Sequence, residues 1–180
     1  MKILFVRHGK SLANASAVVG TPETPLAEEG IEQARTTGQD LRSQNVTAIV
    51  CSPFIRAQQT AEIIAAELGI AVHDITVIDE LHERRMGKLE GHPKQHPTEF
   101  FYENDTDLGF ESQADLITRL QAALGKVKEI ASNTTGSTVV VGHATSGFYL
   151  LQVAKGRLQF AEFDDPNQMN NAEFVEMELV

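Results

Sequence analysis

Lys2-Ile3-Leu4-Phe5-Val6-Arg7-His8-Gly9 is the stretch from which the fold follows. Its four successive apolar residues, two of them β-branched, read as a short strand buried on both faces. The carboxyl end of that strand delivers a guanidinium, an imidazole and a glycine in succession. In an open α/β sheet, this is the edge at which ligands bind. Arg7 offers a planar donor fork matched to phosphate oxygens. His8 offers a nitrogen nucleophile that is largely neutral at physiological pH. Gly9 allows a sharp turn and the close approach of a ligand.

Outward from this strand, two further buried runs end in the same way. Val46-Thr47-Ala48-Ile49-Val50-Cys51 reads as a second strand, followed by Ser52-Pro53. Ser52 is expected to cap a helix and Pro53 to occupy its first position, which puts Arg56 in or near the first turn. That helix is expected to bury Ala57, Ala61, Ile64 and Leu68 and to stop at Gly69. Thr138-Val139-Val140-Val141-Gly142-His143 is a third buried strand that again ends in a histidine, with Thr145 or Ser146 expected to cap the helix after it. Ile75–Ile78 is a shorter strand candidate. Helical spacing marks 27–43, with an apolar stripe of Ile31, Ala34, Gly38 and Leu41 in which Gly38 is expected to lie close to the sheet. Ser112 opens another helix that buries Leu116, Leu120, Leu124, Val127 and Ala131. The alternation from Ala172 to Leu179 predicts a half-exposed edge strand.

Parallel strands put their carboxyl ends on one edge, so Arg7, His8, Arg56 and His143 can converge. Two guanidiniums and two imidazoles around one point make a strong anion site. Helix N-termini after Ser52 and His143 would add to it.

The totals are consistent with such a protein. A chain of 180 residues with 42% hydrophobic and 22% charged content is expected to form a single globular domain. The net charge of −10 argues against a nucleic-acid partner, because positive charge can act only where it is locally concentrated. One cysteine allows no intrachain disulfide and suggests a reducing compartment. The apolar run before Arg7 is too short for a signal peptide, and no run is long enough to span a membrane. A cytoplasmic protein is expected.

Taken together, Arg7-His8-Gly9, Ser52-Pro53 with Arg56, Glu83-Arg84 with Gly87 and Glu90-Gly91, and Val141-Gly142-His143 resemble the histidine phosphatase superfamily, the phosphoglycerate-mutase-like group. The resemblance runs from residue 3 to about 150 with the motifs in order. It implies an α/β/α sandwich, three layers around a mostly parallel sheet with an antiparallel edge strand, and a phosphohistidine intermediate. It implies His8 as nucleophile, and Arg7, Arg56 and His143 as charge stabilisers. Asn14 would be a phosphate contact, and the Ala144 amide would also face the phosphate. Glu83 would be the acid that protonates the leaving oxygen and then activates water. Glu80 and Glu90 compete with Glu83 for that part. No cofactor and no metal are expected, the guanidinium and imidazolium groups taking a metal's place.

The sequence departs from the usual family pattern in three places. Lys10 should raise the local positive potential, Ala27 should weaken the cap of the first long helix, and Ala144-Thr145 stand where a glycine pair is more usual.

Other chemistries fit the spacing poorly. Cys51 and Arg56 are one residue too close for the loop of cysteine-dependent phosphatases, and the thiol reads as buried and inert. His92 and His96 have a helical metal-pair spacing, but Pro93 and Pro97 oppose the helix, so no metal is expected there. His73 and His82 read as surface or packing residues. Residues 88–111 form an acidic, lid-like excursion with the aromatic group Phe100-Phe101-Tyr102.

That short excursion, and an end soon after the last strand, favour hydrolysis of a small phosphomonoester over phosphoglycerate-mutase-type transfer, which needs a closed site. A non-catalytic module that binds phospho-ligands is the alternative of another class. The sequence does not indicate the oligomeric state.

Overall fold

A computed structural model describes residues 1–94, 107–158 and 169–180. Among these residues, five strands form one sheet: β1 (Lys2–Arg7), β2 (Val46–Cys51), β3 (Thr76–Val77), β4 (Ser137–Gly142) and β5 (Phe174–Glu176). Their order is β3-β2-β4-β1-β5. All neighbouring pairs are parallel except β1 and β5. The short strand candidate at Ile75–Ile78 is thus reduced to two exposed residues at one edge, and the alternating C-terminal segment closes the other edge.

The α-helices described alongside the sheet are α1 (Leu12–Ala15), α2 (Glu28–Asp40), α3 (Ile55–Leu68), α4 (Gln113–Ser132) and α5 (Ala144–Ala154). β1, β4 and the second half of β2 are buried and mainly apolar on both faces because both faces are covered. Ile3, Phe5, Val50 and Val140 join a core with Leu116, Leu120 and Val127 of α4 and Leu150 of α5. Leu4, Val6, Ile49, Val139 and Val141 join a second core with Ala57, Ala61 and Ile64 of α3. The result is the three-layer arrangement, with all four parallel carboxyl ends on one edge.

Three local expectations are corrected. Ile31 is exposed at 36%, and the buried face of α2 is instead Gly30, Ala34, Thr37 and Gly38. Gly38 approaches a helix rather than the sheet, since a Cβ there would lie 2.7 Å from Cβ of Glu67 in α3. Gly9 is likewise needed against protein, because a Cβ there would lie 2.4 Å from the Gly30 carbonyl oxygen.

The caps also differ. α3 begins only at Ile55, and α5 has His143 as its N-cap without a side-chain capping bond. α2 lacks a side-chain cap, as Ala27 predicts. Ser112 accepts from the Asp115 amide at 3.1 Å and caps α4 as expected. Gly69 ends α3 with φ +71°. The excursion at 88–111 lies partly outside the described residues, and its aromatic group wholly so. Among the described residues no helix is long and apolar enough to cross a membrane.

Candidate active site

The register of β1 against β4 pairs Arg7 with Gly142, so His8 and His143 leave adjacent strands side by side. Their ring centroids are 5.1 Å apart at an interplanar angle of 66°. Arg56, in the first turn of α3, donates from Nε to His8 Nε2 at 3.1 Å and from a terminal nitrogen to the Thr21 carbonyl at 2.8 Å. One cavity is lined by Arg7, His8, Asn14, Arg56, Glu83 and Ala144. Six of the seven expected residues therefore line it. The seventh, His143, is fully buried behind them against His8 and Phe54, 5.1 Å from each ring.

The tautomer of His8 follows from its two neighbours. Its Nδ1 lies 2.7 Å from the Gly9 carbonyl, which can only accept, so Nδ1 carries the proton. Arg56 Nε–H can only donate, so Nε2 presents a lone pair. Burial pushes the His8 imidazole well below its ordinary value, and the Arg56 and Arg7 cations push it further. His143 is lowered well below its ordinary value by burial first, then by Arg56 and by the neighbouring His8. Both rings are therefore neutral near pH 7. The positive charge of the site rests on Arg7 and Arg56 rather than on an imidazolium as expected.

Arg7 is held by a bond to the Met169 carbonyl, while its Nε lacks a protein partner among the described residues. Burial lowers both guanidiniums from their ordinary value, and Glu83 opposes the shift in each. Asn14 accepts through Oδ1 from the Ser11 amide at 3.1 Å and the Ser11 hydroxyl at 2.9 Å. With Oδ1 so engaged, the amide NH2 is the donor that this cavity-lining side chain keeps for a ligand. Lys10 contributes little, since its ammonium bonds Glu29 at 2.7 Å.

Glu83 comes from an irregular segment, and its carboxylate caps α5. Oε1 accepts from the Ser146 amide at 2.7 Å and the Arg84 amide at 2.9 Å, and Oε2 from the Thr145 amide at 3.1 Å. This explains why neither Thr145 nor Ser146 caps its own helix: a carboxylate from elsewhere in the chain occupies the positive end. Glu80 points away, to Lys126 at 2.6 Å. Glu90 lines the cavity but receives the Met86 amide at 3.0 Å.

Several supporting residues carried no sequence signal. Asn171 donates to the His8 carbonyl at 3.0 Å and ties the C-terminal segment beneath the site. Arg119 of α4 grips Glu111 through two bonds of 2.7 and 2.8 Å and the carbonyls of Glu80 and His82, fixing the Glu83 segment. Lys94 also lines the cavity, on a strip bonded to Ala17 and Val19. Cys51 is buried and its thiol is pushed up to about 12 by burial, with Glu62 adding to the shift, as an inert thiol requires. His82 stacks on Phe54 and His73 is exposed. His92 sits outside any helix, and His96 lies outside the described residues.

The sequence matches the profile of the histidine phosphatase superfamily (branch 1) over residues 3–179. It is 34% identical over 174 residues to the probable phosphoglycerate mutase GpmB of Yersinia enterocolitica, covering 90% of this chain and 78% of that protein. Its fold is similar to that of a mycobacterial glucosyl-3-phosphoglycerate phosphatase complexed with VO3, with TM-score 0.79, 22% identity, and coverage of 97% of this chain and 90% of that one. It is also similar to a mutant phosphoserine phosphatase from Entamoeba histolytica in complex with phosphoserine, with TM-score 0.72, 21% identity, and coverage of 97% and 89%. At these identities the two structures bear on the fold alone.

Proposed function

The chain belongs to the histidine phosphatase superfamily, and from that membership together with the cavity's geometry we propose that it hydrolyses phosphomonoesters through a phosphohistidine on His8. The observation that carries this reading is the unprotonated Nε2 of His8, held by Arg56 in a residue that lines the same cavity as both guanidiniums.

Phosphoryl transfer calls mainly for positioning and for stabilisation of charge on the equatorial oxygens. In this mechanism Arg56 exchanges its bond to His8 for a phosphoryl oxygen, and Arg7 and the Asn14 amide hold the others. Nε2 attacks phosphorus in line, the ester P–O bond breaks, and Glu83 delivers a proton to the leaving oxygen. Oε2 is the oxygen to carry that proton, since it accepts one backbone amide where Oε1 accepts two. In the second half Glu83 takes a proton from water. The water oxygen attacks phosphorus, the P–N bond breaks, and inorganic phosphate leaves with Nε2 unprotonated again. Glu83 thus serves as acid and then as base. The charge is met by guanidiniums, so the reaction is expected to proceed without a metal ion.

The test is turnover of a chromogenic aryl phosphate in the presence of chelator. The wild type is expected to release phosphate and His8→Ala to lose about a thousand-fold or more in rate. Equal rates in the two proteins would remove His8 as nucleophile. The name of the relative at 34% identity favours a second reading, phosphoryl exchange between positions of a phosphoglycerate. That reading predicts isomerised product with little free phosphate from the same incubation with phosphoglycerate. Binding of vanadate without turnover of any phosphomonoester would leave the non-catalytic module.

A further inference from the structure

Ser52 carries no role in the mechanism above, yet it is fully buried at the heart of the site. Its hydroxyl lies 2.7 Å from His143 Nε2 and accepts from the Phe54 amide at 3.2 Å. Pro53, between them, has no N–H to offer, so the hydroxyl takes the first amide of the turn into α3. The other ring nitrogen of His143, Nδ1, is buried without a hydrogen-bond partner among the described residues. A buried polar group left in this state is desolvated without compensation, which calls for an explanation.

We propose that Ser52 is a positioning residue that donates its hydroxyl proton to His143 Nε2 and so fixes the His143 proton on Nδ1, as a donor held for a phosphoryl oxygen. A serine hydroxyl both donates and accepts, so the distance alone leaves the direction open. The Phe54 amide takes one of the oxygen's two lone pairs, and among the described residues the hydroxyl has no partner besides that amide and the ring, so Nε2 is the acceptor that satisfies its buried proton. With Nε2 accepting, a neutral His143 must carry its proton on Nδ1. His8 and His143 then form a matched pair in which both are neutral and both are protonated on Nδ1. The first presents a lone pair from Nε2, and the second supplies a hydrogen-bond donor beside it. The functional half of this inference rests on the phosphatase reading, whereas the tautomer does not.

The experiment is nitrogen NMR of 15N-histidine-labelled protein at pH 7, with His143 assigned by loss of its signals in His143→Gln. In the wild type Nδ1 is expected to resonate as a protonated nitrogen and Nε2 as an unprotonated one. Ser52→Ala is expected to shift His143 toward the Nε2–H form and Ser52→Thr to retain the wild-type pattern. Protonated Nε2 in the wild type would overturn the proposal whether or not Ser52→Ala folds, and without touching the phosphatase reading. Aryl phosphate turnover adds the functional half. Ser52→Ala should lose about 10–100-fold in kcat/KM, the worth of one hydrogen bond to a charged acceptor, with Ser52→Thr restoring most of it. A switched tautomer with unchanged kcat/KM would overturn the assigned role of Nδ1 while leaving His8 as nucleophile.

Discussion

Arg7, His8 and His143 stand at the ends of neighbouring parallel strands, whereas Glu83, across the same cavity, stands in a stretch between Ile78 and Lys94 whose only regular pieces are three-residue turns. The first group inherits its geometry from a hydrogen-bonded sheet buried between two apolar cores. Glu83 inherits its own from individual bonds: three amides on its carboxylate, and an Arg119–Glu111 pair that grips the segment from α4. A strand end cannot shift without breaking the sheet, while a pinned loop can relax one bond at a time. Chemistry and stability should therefore separate cleanly on the sheet side and be mixed on the loop side.

Paired variants of Glu83 test this most severely. Glu83→Gln keeps an oxygen for the α5 amides but removes the proton donor, so turnover of an ordinary alkyl phosphate should fall by about 10²–10⁴ with a small change in melting temperature. Glu83→Ala should lose the same chemistry and about 1–2 kcal/mol of stability as well, seen in urea titration. If the two variants unfold alike, the carboxylate is not the cap described here.

Next in size is Arg56→Ala, expected to lower kcat/KM by about 10²–10³ through lost charge stabilisation. The neighbouring cation is one of the groups that lower His8. Its removal should therefore move the acid limb of the pH–rate profile to higher pH. An unmoved limb would mean that burial and Arg7 keep His8 neutral without Arg56.

Arg119→Met should cost about 1–3 kcal/mol and reduce kcat by roughly tenfold, with KM little altered, because it loosens the acid and not the anion cradle. A change in KM alone would erase the distinction between the two sides.

The gentlest effect is thermodynamic. His8 and His143 are held neutral in the folded protein and bind protons at their ordinary value once unfolded. Between the folded and unfolded values the unfolded state holds more protons, so stability is lost as pH falls below about 6.5. Each ring contributes at most about 1.4 kcal/mol per pH unit in that window. His143→Gln should reduce the slope of stability against pH measured by thermal melts.

The same division governed what the sequence disclosed. Periodicity and runs of β-branched residues were enough for β1, β2, β4, α3 and α4. Because parallel strand ends converge, Arg7, His8, Arg56 and His143 could be brought together from the linear chain. Family resemblance supplied Glu83 and Asn14, which no periodic pattern marks. What stayed hidden depends on contacts between distant segments. The partner of Gly38 is a helix side chain, Ser52 bonds a ring instead of its own helix, and Glu83 caps a helix that begins sixty-one residues later at Ala144. Asn171 was equally silent, because a single amide near an edge strand carries no signal until its acceptor, the His8 carbonyl, is known.

In the proposed mechanism the bond from Arg56 to His8 Nε2 would give the resting protein a form of selectivity that needs no lid. An uncharged electrophile would have nothing with which to draw the guanidinium away, and would meet a nitrogen already engaged. A dianion would compete for that guanidinium on arrival and, by taking it, would release the electron pair that then attacks it. Admission and activation would become a single exchange of partners, the incoming molecule carrying its own key.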